Sequence, residues 1–169
     1  NDDELARCIK ILRVHGSEPK YYHSYIGING RLDAIQAAVL SVKLKYLNDW
    51  SESRRWVASY YSEHLKELPI RLPKTESYNT HIFHQYVIAT SQRDELIQYL
   101  NQQGIETAIY YPVSLHLQKC FEYLGYKEGD LPESEKASRE TLALPIFPEI
   151  TLKEQDYVIG HIKNFFTGR

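Results

Sequence analysis

Methionine is absent from this chain of 169 residues, and cysteine occurs only twice, at Cys8 and Cys120. The two cysteines lie far apart among apolar neighbours, which favours two reduced thiols over a disulfide and hence a cytoplasmic protein. No apolar run approaches the roughly 20 residues that a membrane helix needs. A basic segment followed by an apolar one, typical of a secretory signal, is also lacking at the start. We therefore expect no membrane partner.

An excess of positive charge is also missing. The formal net charge is −2 and the isoelectric point is near 6.4, which argues against a protein that binds nucleic acid by bulk phosphate attraction. Only His81 and His84 lie close together among the histidines, and residues three apart on a strand face opposite sides. We therefore expect no metal site. A nucleophile elbow, a Walker loop and a dinucleotide fingerprint are absent too.

The chain begins at Asn1 and not at a methionine. Asn1 reads as the cap of a helix over residues 2–14, with Glu4 at the capping-box position. We expect from this that the chain was cut out of something longer. A structured loop rich in aromatic residues is predicted to follow, over residues 17–30.

The longest pattern is helical and covers residues 31–68. Apolar residues recur there at spacings of three, four or seven, and no proline or glycine interrupts them. An unbroken helix of that length would span about 55 Å at 1.5 Å per residue. That exceeds the needs of a compact small domain, so we expect the helix to bridge two domains. Polar residues 48–53 mark the expected kink.

Strands and shorter helices alternate in the remainder, which predicts an α/β or α+β sandwich. The expected strands are His81–Thr90 and Glu106–Tyr111. The expected helices are 91–104, 117–124, 132–142 and 151–166, the last opened by a capping box of Thr151 and Glu154.

Hydrogen-bonding groups concentrate where the first loop enters the long helix, over residues 27–33. A helix N-terminus offers unpaired N–H groups and a partial positive charge, which suit a phosphate. Asn29 can add an amide donor, and Arg31 a planar guanidinium fork. The alternative is that Asn29 only caps the helix and that Arg31 pairs with Asp33 or Asp49.

A second concentration is the Tyr110-Tyr111-Pro112 run at the end of the second predicted strand. Consecutive residues on a strand face opposite ways, so one tyrosine at most is expected in the core while the other can face a site. The alternative is that both tyrosines only pack and expose their hydroxyl groups.

Together these segments resemble a known family. The runs are YYHSYIGINGRLDAIQAAVLSVKLKYLNDW, FHQYVI, GIETAIYYPVSLHLQ and YLGYKEGDLPESEKASRETLALPIFPEIT. In this order they resemble the carboxy-terminal portion of DegT/StrS-type, pyridoxal-phosphate-dependent sugar-nucleotide aminotransferases. The resemblance implies the α/β fold of aspartate-aminotransferase-like enzymes (fold type I). It further implies that residues 1–30 are a remnant of the large cofactor domain with an active-site loop, 31–68 the interdomain helix, and 69–169 the small α/β domain.

The resemblance also implies roles for individual residues. Asn29 is expected to bind the phosphate of pyridoxal 5'-phosphate in the neighbouring subunit of a homodimer. Arg31, Tyr110 and Tyr111 are expected to border the nucleotide-sugar pocket across the subunit interface. The amino donor would be an amino acid, most simply glutamate. Tyr110 departs from the family pattern, in which histidine is common at this place, and this leaves the role of Tyr110 and the identity of the sugar open.

The resemblance places the catalytic lysine upstream of Asn1. The lysines of this chain, such as Lys43 and Lys119, lie in other family contexts, so we expect the chain alone to be inactive. Two alternatives stay open. The parent protein could be a sugar dehydratase on the same scaffold, in which histidine replaces that lysine. The chain could instead be a non-catalytic binding or dimerisation module.

Overall fold

A computed structural model describes residues 1–168, and these residues form two compact units, 1–47 and 48–168. Helices predominate in both units. They are α1 (Asp3–Leu12), α2 (Ala34–Lys43), α3 (Leu47–Leu65), α4 (Arg93–Gln102), α5 (Pro132–Glu140) and α6 (Leu152–Thr167). Two short strands, β1 (Tyr86–Ala89) and β2 (Thr141–Leu144), complete the regular elements, with 3₁₀ helices at Leu44–Tyr46, Leu115–Leu117 and Lys119–Leu124. The mixture of helices with a small sheet agrees with the expected α/β class.

The first helix begins one residue later than its sequence indicates. Asp2, rather than Asn1, is the N-cap, because its carboxylate accepts the backbone N–H of Leu5 at 3.0 Å. Asp2 and Asn1 are both good capping residues, and sequence spacing alone does not choose between them. The helix therefore has Asp3 and Glu4 in its first turn, where negative charge is favourable.

The long helical run is interrupted, but not where its polar residues indicate. It starts at Ala34, and a 3₁₀ turn over Leu44–Tyr46 separates α2 from α3. Residues 48–53, the expected kink, lie inside regular α-helix. Polar residues are tolerated within a helix, so their presence does not by itself break one. The boundary between the two units falls between residues 47 and 48.

In the second unit, β1 and β2 form an antiparallel pair with Tyr86 opposite Leu144 and Ala89 opposite Thr141. Single bridges extend this sheet on both sides, from Arg71 to Ala89 and from Ala108 to Ala143. The prediction of β2 as the end of a helix was wrong. The expected strand over 106–111 is also shorter than predicted, because only Ala108 pairs with the sheet.

The core of the second unit lies between this sheet and helices α3, α4 and α6. Its buried side chains are Val57, Ala58, Tyr61, Leu65, Tyr86, Ile88, Leu96, Leu100, Ile105, Leu142, Leu144, Ile150, Val158, Ile159 and Ile162. Gln155 of α6 is also fully buried and donates from its amide to the carbonyl oxygen of Val57 at 3.1 Å. The predicted capping box at the start of α6 is confirmed, with Thr151 and Glu154 bonded reciprocally.

One arginine of α3 joins the segments that flank the sheet. Arg54 Nη1 donates to the carbonyl oxygens of Phe83, His84 and Ile146 at 3.1–3.3 Å. Phe83 has a φ of 47°, a conformation in which a non-glycine residue is uncommon. This turn explains why the predicted strand His81–Thr90 starts only at Tyr86.

Candidate functional site

The segment that carries Asn29 is fixed against the end of α1 by backbone hydrogen bonds. Ile28 donates to the carbonyl of Leu12 at 2.9 Å, and Gly30 donates to that of Arg13 at 2.8 Å. Asn29 lies between these two contacts and forms a bridge with Val14. Backbone pairing on both sides therefore holds Asn29 in one place in the first unit.

Two glycines allow this close approach. A Cβ atom on Gly27 would lie 2.3 Å from the backbone nitrogen of Gly16 and 2.4 Å from the carbonyl oxygen of Leu12. Gly16 has a φ of 71°, and a Cβ atom there would lie 1.9 Å from the carbonyl oxygen of Tyr25. Any side chain at either position would collide with backbone, which explains why the loop has glycine at both.

The side chains of Asn29 and Arg31 are exposed and lie together. Arg31 Nε donates to Asn29 Oδ1 at 3.4 Å. This bond uses the amide oxygen of Asn29, while its NH₂ group and the remaining guanidinium N–H groups take no part in it. Such a set of donors fits an anionic oxygen, above all a phosphate or a carboxylate.

At the start of α2, the first backbone N–H groups are not all free, as a phosphate site there would require. Asp33 is the N-cap and accepts the N–H groups of Ile35 and Gln36 through its Oδ1 atom, at 2.8 and 3.3 Å. A carboxylate thus already accepts two of the N–H groups at this helix end, and a phosphate at this junction stays a prediction. The prediction of Asn29 as the helix cap is wrong, because Asp33 is the cap. Within residues 1–168, Arg31 makes no ion pair with Asp33. Asp49, the other expected partner, lies in the second unit.

Tyr110 and Tyr111 lie in the second unit, in a loop that leaves the sheet after Ala108. Both are exposed, by 44% and 72%, and their rings meet edge to face with centroids 6.0 Å apart. At most one of them was expected in the core, and neither lies there, because the chain has already left the sheet. Both phenol rings face solvent at the surface of the unit.

A cleft of about 390 Å³ lies beside Tyr110. Its lining combines apolar and polar side chains, namely His84, Gln85, Glu106, Thr107, Tyr110 and Phe147. The hydroxyl oxygen of Thr107 is buried and has no hydrogen-bond partner among residues 1–168. A buried hydroxyl without a partner is costly, so Thr107 is an unfavourable feature of the cleft wall.

A larger cleft of about 590 Å³ adjoins the first one and shares Glu106, Pro145 and Phe147 with it. Its wall is mostly apolar and includes Ile150 and Val158, but none of the residues that the sequence indicates for the site. The smaller cleft is therefore the one that adjoins a predicted site residue, Tyr110.

The loop with the two tyrosines ends at a buried polar cluster that the sequence did not indicate. His116 Nε2 lies 3.0 Å from Glu135 Oε1, and both side chains are 4% exposed. Glu135 also accepts the backbone N–H groups of Gly129 and Leu131, at 2.9 and 3.3 Å. Burial raises the pKa of Glu135, but the bonds from Gly129, His116 and Leu131 outweigh burial and hold that pKa below its ordinary value.

Within the part of the chain that the structure describes, no group of three or more histidine, cysteine, aspartate or glutamate side chains is placed to hold a metal ion. In the same residues, no helix has both the length and the apolar character needed to cross a membrane. Cys8 and Cys120 are both free thiols.

Comparison with known proteins identifies the scaffold. The model of the DegT/DnrJ/EryC1/StrS aminotransferase family matches residues 1–163. The chain belongs to this family. The match includes both exposed clusters, Asn29 with Arg31 and Tyr110 with Tyr111. It therefore confirms the resemblance that the GINGRLDAIQAA and GIETAIYYP segments indicate.

Similar members of the aminotransferase family carry different names. The chain is 51% identical over 169 residues to a "Pleiotropic regulatory protein" of Geobacillus stearothermophilus, covering 98% of this chain and 45% of that protein. It is 38% identical over 165 residues to the dTDP-3-amino-3,6-dideoxy-alpha-D-galactopyranose transaminase of Aneurinibacillus thermoaerophilus, covering 98% and 45%. The chain thus spans less than half the length of these curated relatives.

Solved structures agree with the fold. The crystal structure of DesV from S. venezuelae, in complex with a ketimine intermediate, superposes with a TM-score of 0.91 at 38% identity, covering 97% of this chain and 44% of that one. A DegT DnrJ EryC1 StrS aminotransferase from Brucella abortus superposes with a TM-score of 0.88 at 39% identity, covering 98% and 44%. The fold is therefore that of a portion of a fold type I aminotransferase.

Proposed function

We propose that this chain is the carboxy-terminal part of an aminotransferase that moves an amino group from an amino acid, glutamate in the simplest case, to a keto sugar carried by a nucleotide. The observation that carries the proposal is the family match over residues 1–163. Relatives named as transaminases of dTDP-linked and UDP-linked sugars support the substrate class. A 33% identical relative named 3-oxo-glucose-6-phosphate:glutamate aminotransferase supports glutamate as the donor.

The first unit would contribute phosphate binding. Pyridoxal 5'-phosphate, when bound, supplies the electron-withdrawing ring that amino transfer requires. In the proposed homodimer, the exposed amide NH₂ of Asn29 donates to the cofactor phosphate in the neighbouring subunit's site. Its amide oxygen is already bonded to Arg31, and this bond orients the NH₂ group away from the guanidinium.

The second unit would contribute substrate binding. Tyr110 and Tyr111 present two exposed phenol groups, and Tyr110 lines the cleft of about 390 Å³. Such groups can stack on a base or sugar and donate to phosphate or hydroxyl oxygens. Arg31 is proposed to bind an anionic group of the nucleotide sugar across the subunit interface of the dimer. The replacement of the usual histidine by Tyr110 would then affect which sugar is accepted.

The homodimer itself is supported by the surface of α2. None of its ten residues is buried, although several are apolar. The apolar side chains that are more than half exposed are Ile35, Val39, Leu40 and Val42. A contiguous apolar surface of this kind is typical of a protein interface. With nucleotide sugars as substrates, we place the enzyme in the cytoplasm, in a pathway that builds a surface polysaccharide or another glycoconjugate.

The test is an amino-transfer assay on two preparations, the 169-residue chain and the longer polypeptide that includes it. With glutamate and a dTDP- or UDP-linked keto sugar, the longer enzyme should form the amino sugar while the chain alone forms none. Replacing Arg31 by alanine in the longer enzyme should raise KM for the nucleotide sugar about 10-fold or more, as expected when a charged hydrogen bond of about 1.5–3 kcal/mol is lost. Borohydride trapping of pyridoxal phosphate on a lysine of the isolated chain would contradict the proposal.

A regulatory role is the second candidate, because the relative with 51% identity is named a pleiotropic regulatory protein. The same assay separates the two. A regulator without enzymatic activity would leave glutamate and every keto sugar unchanged at any enzyme concentration.

A further inference from the structure

The loop that carries the two tyrosines is fixed at both ends. At its upstream end, Ala108 exchanges two backbone hydrogen bonds with Ala143 of β2, at 3.3 and 2.7 Å. At its downstream end, Ser114 and His116 are buried against α5 and the turn before it. Only residues 109–113 lie free between these anchors. A short segment with both ends fixed has few conformations open to it.

The downstream anchor consists of two side-chain hydrogen bonds. The hydroxyl of Ser134 donates to Ser114 Oγ at 3.1 Å, and His116 Nε2 lies 3.0 Å from Glu135 Oε1. Residues 114 and 116 thus bond to two consecutive residues of one helix. This arrangement fixes both the position and the direction of the chain as it leaves the tyrosines.

Glu135 is itself held in place, which makes it a rigid partner for His116. Its Oε1 atom accepts the N–H groups of Gly129 and Leu131, and its Oε2 atom also accepts from Gly129 at 3.0 Å. An ionised carboxylate can only accept hydrogen bonds, so His116 must donate through Nε2. The turn before α5 therefore determines the position of the histidine ring.

A purely structural explanation for this pair is weaker. Burying a polar pair brings little net stability, because removing two such groups from water costs about as much as their attraction returns. An apolar ring such as phenylalanine would fill the space of the His116 ring. What a buried hydrogen bond adds is a defined geometry, and here it defines the position of a residue that follows the Tyr110–Tyr111 loop directly in the chain.

We propose that His116 is a positioning residue, whose hydrogen bond to Glu135 holds the Tyr110–Tyr111 loop in the conformation that receives the nucleotide-linked sugar. The sugar as ligand rests on the proposed function above, whereas the fixing of the loop does not. The loop is then organised before the ligand arrives, so that binding loses less conformational entropy.

Hydrogen exchange in the 169-residue chain tests the fixing of the loop. In His116→Phe, which fills the space but cannot donate, the amides of Leu117 and Gln118, which bond the carbonyls of Ser114 and Leu115, should exchange at least 10-fold faster. His116→Gln retains an N–H donor and should restore much of the protection. His161→Phe is the matched control, because it breaks another partly buried histidine bond, to the hydroxyl of Tyr99, without touching the loop.

Kinetics in the longer enzyme tests the ligand. His116→Phe should raise KM for the nucleotide sugar about 10-fold, with kcat within about 2-fold and KM for the amino donor unchanged. His116→Gln should fall between this variant and the wild type, and His161→Phe should match the wild type in KM. If His116→Phe does not fold, Ser134→Ala replaces it, since it removes only the hydroxyl that bonds Ser114.

The outcomes separate the two proposals. A wild-type enzyme that transfers no amino group would overturn the proposed function, while loop exchange in the chain would still decide whether His116 fixes the loop. An active wild type whose KM is unchanged in His116→Phe would overturn the positioning role. Unchanged exchange of the Leu117 and Gln118 amides in folded His116→Phe would overturn the inference altogether.

Discussion

Gly27 and Gly16 touch through their backbones, so closely that a Cβ atom on Gly27 would lie 2.3 Å from the nitrogen of Gly16. We expect Gly27→Ala to displace the loop that carries Asn29, because backbone must move to make room. Hydrogen exchange of residues 15–30 should increase, while exchange in the second unit stays as it is. An alanine variant with unchanged protection would show that the loop can absorb the methyl group.

Gly160 offers the opposite case. It lies within α6, and a Cβ atom built there has nothing within 4 Å among the described residues. Gly160→Ala should therefore stabilise the chain by about 0.5–1 kcal/mol, the usual gain when alanine replaces glycine inside a helix. Urea unfolding followed by circular dichroism measures this directly. A variant less stable than the wild type would contradict this prediction, because it would mean that the added methyl group meets a neighbouring atom.

Tyr61 links the core to the loop after β2, because its buried hydroxyl donates to the carbonyl oxygen of Pro145 at 3.0 Å. Tyr61→Phe should cost about 1–3 kcal/mol, since it leaves a carbonyl without its partner. Thermal or urea unfolding at pH 7 provides the measurement. Tyr60→Phe is the matched control, because it removes a more exposed hydroxyl that bonds Asp156.

We also expect Tyr61 to make the folding stability of the chain fall at alkaline pH. Burial raises the pKa of Tyr61 well above its ordinary value of 10.0. The folded state thus keeps this proton where the unfolded state loses it, so stability falls as pH rises above about 10. Tyr61→Phe should flatten part of this fall, and the rest is expected from Tyr86, whose pKa is also raised by burial. Equal slopes in wild type and variant would contradict this assignment.

Glu135 predicts the behaviour in acid. Its pKa in the folded chain lies below the ordinary value of 4.5, despite burial, because Gly129, His116 and Leu131 stabilise the charged form. The unfolded state therefore takes up a proton first. The stability that Glu135 contributes is present above pH 4.5 and is lost as pH falls through its folded pKa.

Unfolding in urea between pH 6 and pH 3 tests this expectation. Glu135→Gln should show a weaker loss of stability in acid than the wild type. Glu149→Gln, which removes an exposed carboxylate of the same unit, serves as the control and should follow the wild type. An identical acid slope in the Glu135 and Glu149 variants would be the contrary result.

Helix α2 predicts self-association. Ile35 and Val39 are 77% and 52% exposed, so the chain should associate at high concentration through this apolar surface. The double variant Ile35→Glu with Val39→Glu should shift it towards monomer in sedimentation. Gln36→Glu adds charge to the same helix at an exposed polar position and should leave the association nearly unchanged. A wild-type chain that stays monomeric at high concentration would count against this prediction.

The sequence predicted best those features that depend on neighbouring residues. The capping box of Thr151 and Glu154 involves groups three residues apart, so local rules determine it. The strand Thr141–Leu144 was missed because it continues directly from α5, and only its partner Tyr86–Ala89 makes it a strand. The pair of His116 and Glu135 was missed for a similar reason, since 19 residues separate two groups that meet only after folding.

The cluster of Asn29 and Arg31 also has one feature that the sequence predicts and one that it does not. Asn29 and Arg31 are two residues apart in the chain, and their proximity follows from that spacing. That Asp33, and not Asn29, caps α2 depends on where the backbone turns into the helix. Sequence spacing does not specify that point, because both residue types are good caps.

The apolar surface of α2 has a practical consequence for work on the chain. None of the side chains on that helix is buried. We therefore expect self-association through this surface, and not folding stability, to limit the concentration at which the chain stays in solution. Dilute samples, or a fusion partner that shields residues 34–43, offer the simplest route to spectra of the second unit free of aggregation.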